Sequence, residues 1–306
     1  ARGLFSTKDV AHVLAEEVGT FAVSTDGRAT PLRVVGDDIA AVTGKAKSAS
    51  SGHETAVSVV RLASTGSMVL TGDVGGESIV WHMDGTLRMR HQSMRGAVTC
   101  AAFAASDEFA VVGYSNGCVA VLSLGDASVL ESAICREAIS AISISNNGKY
   151  MVVGSVDGWV QLVCVRNMSV SAAIHLQTSV KVVLASDDGR FIGVDGRWRL
   201  GLYVVGEWEL VREFGYRLEG VIWDTASNGK IGVLVVHSSG ILSREVYDGR
   251  RWIAAGTTTR PEALTKIVSS DEFTGTAIAL AIDGNVYRTD DTRVRKIYCG
   301  THGNVL

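Results

Sequence analysis

Proline is almost missing, with two residues in 306. So little proline leaves no material for a long polyproline linker, and 46% hydrophobic against 20% charged residues supplies ample apolar surface for an ordered core. Long hydrophobic runs are missing too: stretches such as IGVLVV at 231–236 fall far short of the roughly 18 residues of a spanning helix. Cysteine is scarce and unpaired in pattern. Cys100, Cys118, Cys135, Cys164 and Cys299 are odd in number and show no CxxC spacing, which argues against a disulfide framework and for free thiols in a reducing compartment. Neither sign of charge dominates, and a net charge of −3 gives no global field toward nucleic acid or an anionic membrane. With no secretory signal read at its start, the chain is expected to be intracellular and cytoplasmic, a processed organellar chain being the alternative.

What the chain has is glycine in phase. In YMVVGSVDGWVQLV, residues 150–163, two apolar runs flank an Asp-Gly turn. Its turn glycine, Gly158, lies 41 residues after Gly117 in VVGYSNGCVAVL, which lies 41 after Gly76 in VLTGDVGGESIVW. Gly72, Gly113 and Gly154 precede these turns at one shared offset. Weaker copies centre on Gly27, Gly196, Gly240 and Gly284, giving seven units. A second polar turn recurs between them, as ASTGS, ASDEF, SNNGK, SDDGR, ASNGK and SSDEF, beginning at 63, 105, 145, 186, 226 and 269.

Each unit has room for four strands. In the fourth these are expected at 138–145, 149–155, 158–165 and 168–176, rich in β-branched residues and bounded by turns. A four-stranded sheet that is apolar on both faces must be covered by its neighbours. Units of this length and strand count are those of a propeller, so the expected fold is all-β: one seven-bladed β-propeller of four-stranded antiparallel blades. The approximate blades are 5–48, 52–92, 95–134, 136–176, 177–214, 216–258 and 260–306.

On these motifs the chain resembles the WD-repeat β-propeller family. Gly52-His53, Thr71-Gly72 and Trp81-His82 match parts of the family's Gly-His, Ser-Gly-Ser-x-Asp-Gly and Trp-Asp signatures. Asn116-Gly117 with Leu122-Ser123, Asp157-Gly158 with Val163-Cys164, and Thr289-Asp290 hold equivalent slots in other units. The resemblance implies that His53, Thr71 and Trp81 form three members of a buried network. Gly75 stands where the family's aspartate belongs, so that network is expected to be incomplete.

Local motifs of catalysis lose to the repeat. GYSNG at 113–117 matches a nucleophile elbow around Ser115, yet a strand follows where the elbow needs a helix. Ser227 and Lys230 form an SxxK match inside one of the recurring turns, and GDVGG lacks the lysine and helix of a phosphate loop. Asn167-Met168-Ser169 is a glycosylation sequon that carries little weight beside free cysteines. The seven histidines show no metal-ligand spacing. No catalytic residue, cofactor or metal is expected.

A non-enzymatic scaffold that binds other protein subunits within a larger assembly is the leading expectation. The resemblance places the hairpin turns on one face, where Trp159 and Trp198 are either interface anchors or folded back on their own blades. Tyr114, Arg95, Glu137, Arg197, Tyr216 and Arg260 are expected on that face too. Two alternatives stand: binding of RNA or phosphorylated segments by the arginine clusters at 88–95, 197–199 and 288–296, which a net acidic chain does little to support, and an enzyme site at a central channel.

Overall fold

A computed structural model describes side chains at 52–82, 86–93 and 96–185 and at a few later positions (201, 203, 204, 210, 246, 247, 250–253), with strand backbone elsewhere between 10 and 298. The chain is all-β: among the described residues its strands form seven four-stranded antiparallel sheets, each taking its strands in chain order. Among the described residues none is helical, and no helix is long and apolar enough to cross a membrane. The chain divides into two units, 1–183 and 184–306. The first contains sheets over 10–41, 57–92, 98–133 and 139–175; the remaining sheets cover 182–214, 218–258 and 264–298.

Three sheets of the first unit are seen in side-chain detail. The second sheet comprises Val57–Leu62, Met68–Asp73, Glu77–His82 and Leu87–Gln92. The third comprises Val98–Phe103, Phe109–Tyr114, Cys118–Ser123 and Val129–Ala133. The fourth comprises Ile139–Ile144, Tyr150–Ser155, Trp159–Cys164 and Val170–His175, each within two residues of the strands expected from the sequence.

Period two along a strand sends alternate side chains to opposite faces, and here both faces are covered. Ala110, Val112 and Tyr114 share a core with Val59, Leu70 and Val80 of the second sheet. Val111, between them in sequence, packs with Ile139, Met151 and Val153 of the fourth. That is why the second strands read as unbroken apolar runs. Burying each such valine, leucine or isoleucine is worth about 1.5–3 kcal/mol.

The 41-residue period has a backbone cause. Each first strand carries one extra residue opposite its partner: the register passes from Val57↔Asp73 to Val59↔Gly72, from Val98↔Tyr114 to Cys100↔Gly113, and from Ile139↔Ser155 to Ala141↔Gly154. The skipped residues are Ser58, Thr99 and Ser140. Thr99 and Ser140 donate their hydroxyls to the glycine carbonyl across the bulge, Gly113 and Gly154, both at 3.1 Å, while the Ser58 hydroxyl lies 3.3 Å from the Gly72 carbonyl and 2.6 Å from the Val98 carbonyl of the next sheet, its nearer acceptor. A bulge re-aims the strand while a hydroxyl holds the carbonyl beside it.

Those glycines also make room for the following segment. A Cβ at Gly72 would strike Val98, one at Gly113 would strike Ile139, and one at Gly154 would strike Val180. The turn glycines answer a different demand: Gly76, Gly117 and Gly158 have φ of +88°, +83° and +96°, which L-residues other than glycine rarely adopt.

Candidate functional site

The sharpest polar constellation lies in the second sheet. Trp81 Nε1 donates to Thr71 Oγ1 at 3.0 Å, and Thr71 Oγ1 lies 2.7 Å from His53 Nε2. At the ring's other nitrogen, His53 Nδ1 meets Asp73 Oδ2 at 3.1 Å. One directional chain satisfies all four: indole to hydroxyl, hydroxyl to Nε2, Nδ1–H to carboxylate. All four residues are buried, so each unmade bond would leave a desolvated polar atom.

The expectation of an incomplete network is therefore corrected. The turn slot does hold Gly75, but the acid arrives two residues earlier, at the end of the second strand. Asp73 Oδ1 also accepts the Glu77 amide at 2.8 Å, closing the hairpin from within. Glu77 adds a second carboxylate, with Oε2 3.3 Å from His53 Nδ1 and Oε1 paired at 2.7 Å with Arg90 Nη1. Sequence spacing hid this cluster because its members come from one loop and three different strands.

Ligand atoms of His53, Asp73 and Glu77 lie within 4.8 Å of one another, the one such group of three found among the described residues. Hydrogen bonds and the Arg90 pair already engage both ring nitrogens and both carboxylates. The chemistry of this donor set is that of a structural network.

Forty-one residues on, Thr71, Asp73 and Trp81 are replaced by Val112, Tyr114 and Leu122, and after one further period by Val153, Ser155 and Val163. Tyr114 thus takes the slot of Asp73. It is completely buried, which corrects its expected place on an exposed binding face. Period two puts it with Ala110 and Val112 on the face that the second sheet covers. Burial pushes its phenol well above the ordinary tyrosine value, with Ser78 pulling the other way.

Trp159 remains available, at 38% exposure. Its ring leans on His175 of its own sheet, as the folded-back alternative expects, with centroids 4.9 Å apart at 56°, and much of it still faces outward. His175 Nε2 lies 3.0 Å from the Asp157 carbonyl. A carbonyl only accepts, so Nε2 carries the hydrogen. The Ser155 hydroxyl donates to the Asp157 carboxylate and stiffens the same turn. Glu137 is exposed in the connection between the third and fourth sheets, and the residue after it, Ala138, accepts the Val156 amide at 3.0 Å. Val74 and Val156, one in each of two hairpin turns, are 52% and 43% exposed. Arg95, Arg197, Trp198, Tyr216, Arg260, Gly27, Gly196, Gly240 and Gly284 lie outside the described residues, as do Ser227 and Lys230.

Ser115 sits in a turn between two strands, without the helix of an elbow. Asn167 Oδ1 accepts both the amide and the hydroxyl of Ser169, a turn repeated by Asp126 and Ser128. In the 88–95 arginine cluster, Arg90 is engaged by Glu77, and Arg88 donates to the Gly125 carbonyl at 3.2 Å. Cys100 and Cys135 are buried, and burial pushes their thiols up to about 12 and about 11, far from nucleophilic at neutral pH.

Comparison with known proteins agrees with this geometry. The family model described as "WD domain, G-beta repeat" matches residues 131–163. No curated protein sequence matches the chain. Among solved structures, the chain is similar to the β-propeller domain of Cps50 (Swd1) from Myceliophteria thermophila, with a TM-score of 0.62 and 12% identity. The match covers 92% of this chain and 96% of that one.

Proposed function

Because this chain is a divergent WD-repeat β-propeller, we propose that it is a non-enzymatic interaction scaffold within a larger protein assembly, with its seven sheets serving as seven blades. WD-repeat propellers in general mediate protein–protein interaction. The observation that carries the reading is a division of labour in the described sheets. Their clustered polar side chains bond to one another, while Trp159, Val156 and Val74 stand exposed at hairpin turns. Exposed aromatics are favoured interface anchors, and apolar side chains beside them exclude water from the contact. Trp159 and Glu137 are the described residues proposed to meet a partner, with Trp198, Arg95, Arg197, Tyr216 and Arg260 as further positions.

Crosslinking mass spectrometry on the native assembly tests this. Crosslinks from partner subunits to the segments around 137 and 156–159 are expected. Purification from the native source at low salt as a lone chain, with no partner crosslinked anywhere, would overturn it.

A further inference from the structure

The outer edge of the fourth sheet carries unused main-chain groups. Its last strand, Val170–His175, pairs on one side only, with Trp159–Cys164. Opposite residues of an antiparallel pair alternate between those that bond to each other and those whose N–H and C=O point away. The Leu176 amide donates to the Gly158 carbonyl at 2.8 Å, so Val160 and Ile174 form a bonded pair, and the N–H and C=O of Ala173 and His175 turn outward. Among the described residues nothing meets those four groups.

Charge or proline blunts most such edges. The residue opposite the middle of the third strand is Arg90 in the second sheet, paired with Ile79, and Glu131 in the third, paired with Ala120; one period after Ala120, Gln161 pairs with Ala173. From Met168 to Ser179 there is no Lys, Arg, Asp, Glu or Pro, and Val170, Ser171, Ala173 and His175 are exposed. Trp252–Thr258, the other outer strand without a charge, follows Arg250 and Arg251 directly. A bulge at Ser171 bends the start of the strand, so the usable edge runs from Ala172 to His175.

We propose that this edge takes an extended, uncharged segment of a partner protein as a fifth strand, held by the main-chain groups of Ala173 and His175. Val, Ile, Thr, Tyr or Phe at alternate positions of that segment lie beside His175, whose ring already meets Trp159 across the pair at 4.9 Å. This rests on the protein-binding reading above and names the conformation and chemistry of the partner. A second copy of the chain fits less well: two folded chains meeting over four paired residues bury far less than the roughly 1,000 Å² a specific dimer needs, whereas a flexible segment can follow the edge.

The test selects displayed random peptides on the full chain, then measures one enriched peptide by fluorescence anisotropy. Uncharged peptides with alternating Val, Ile, Thr, Tyr or Phe are expected, and their affinity should not change with salt. Methylating the peptide's amide nitrogens one at a time should weaken binding at least about tenfold at every second position and much less between them, because only alternate amides face the edge. Ala173→Pro removes an outward N–H and no bond of the sheet; Ala173→Glu installs the residue that the third sheet carries in this slot. Each should weaken binding at least about tenfold with the thermal midpoint nearly unchanged, and the glutamate variant decides if the proline variant fails to fold. Enrichment of charged or proline-rich peptides, methylation effects without the two-residue period, full binding by Ala173→Glu, or no enrichment at all overturns the added strand. A dimer seen by sedimentation and broken by Ala173→Glu would assign the edge to a second copy and overturn the partner segment too. None of these outcomes removes a native partner crosslinked elsewhere on the chain, so the broader reading is judged separately.

Discussion

The carboxylate of Asp107 accepts both the backbone amide of Thr65, at 2.9 Å, and its hydroxyl, at 2.5 Å, joining the third sheet to the second across 42 residues of chain. The Ser64 amide adds a third bond at 2.9 Å. Asp107 holds φ at +54° where the equivalent turns have Gly66 and Gly148, at +67° and +66°. Aspartate tolerates that region better than most residues. Asp107→Gly relieves the backbone and loses the bonds; Asp107→Ala keeps the strain and loses them as well. Both should destabilise, by about 1–3 kcal/mol, with alanine the worse of the two in urea unfolding.

Thr71→Val keeps the shape of the buried threonine but strands Trp81 Nε1 and His53 Nε2. The expected loss is about 2–4 kcal/mol. Thr71→Ser, which retains the hydroxyl, should cost less than half as much by the same denaturant titration. Equal losses for the two variants would mean that the hydrogen-bond chain contributes little.

Gly117 and Gly125 make a controlled pair. A Cβ at Gly117 would overlap the Cys135 carbonyl, and its φ is +83°; a Cβ at Gly125 meets nothing within 4 Å. Gly117→Ala should destabilise by more than about 3 kcal/mol, while Gly125→Ala should stay within about 0.5 kcal/mol of the parent. Thermal midpoints of the two variants measure the contrast directly.

Alkaline pH should weaken the fold. Burial raises the Cys100 thiol from 9.0 to about 12, against weaker opposing pulls from Thr99, Arg61 and the Gly113 backbone. The folded chain therefore keeps a proton that the unfolded chain releases above about pH 9. The stabilisation is complete below pH 9 and fades as pH rises toward 12, at about 1.4 kcal/mol per pH unit for each such thiol. Urea midpoints at pH 8, 9 and 10 should show the decline. Cys100→Val should make it shallower, with the Cys135 thiol, raised to about 11, sustaining the remainder.

Much of the fold was legible because its physical demands recur. Positive φ at Gly76, Gly117 and Gly158, and the close approach at Gly72, Gly113 and Gly154, each exclude a side chain. Glycine spacing therefore reports the sheet repeat directly. The trio His53, Thr71 and Trp81 was legible for another reason, its match to fragments of the family signature in one unit, since it does not recur at the 41-residue period. Asp73 and Glu77 were not, because what joins them to His53 is folding across strands, and Asp73 lies outside the turn slot where an aspartate was sought. Tyr114 was misjudged for a related cause: proximity to a turn suggested exposure, whereas strand parity put its ring beneath the neighbouring sheet.

The glycine contacts imply an order of events at the ribosome. Val98, Ile139 and Val180, which lie against Gly72, Gly113 and Gly154, each follow their glycine by 26 residues. A newly made hairpin thus leaves the exit tunnel with its socket incompletely filled: at Gly72 and Gly154 the nearest side chains come from the following segment, and at Gly113 Ile139 joins Cys100 of the same hairpin. Closure waits until those 26 residues have also emerged, so a translational pause that holds Val98 or Ile139 inside the tunnel would prolong an open, sticky intermediate, and one after its emergence would let it seal.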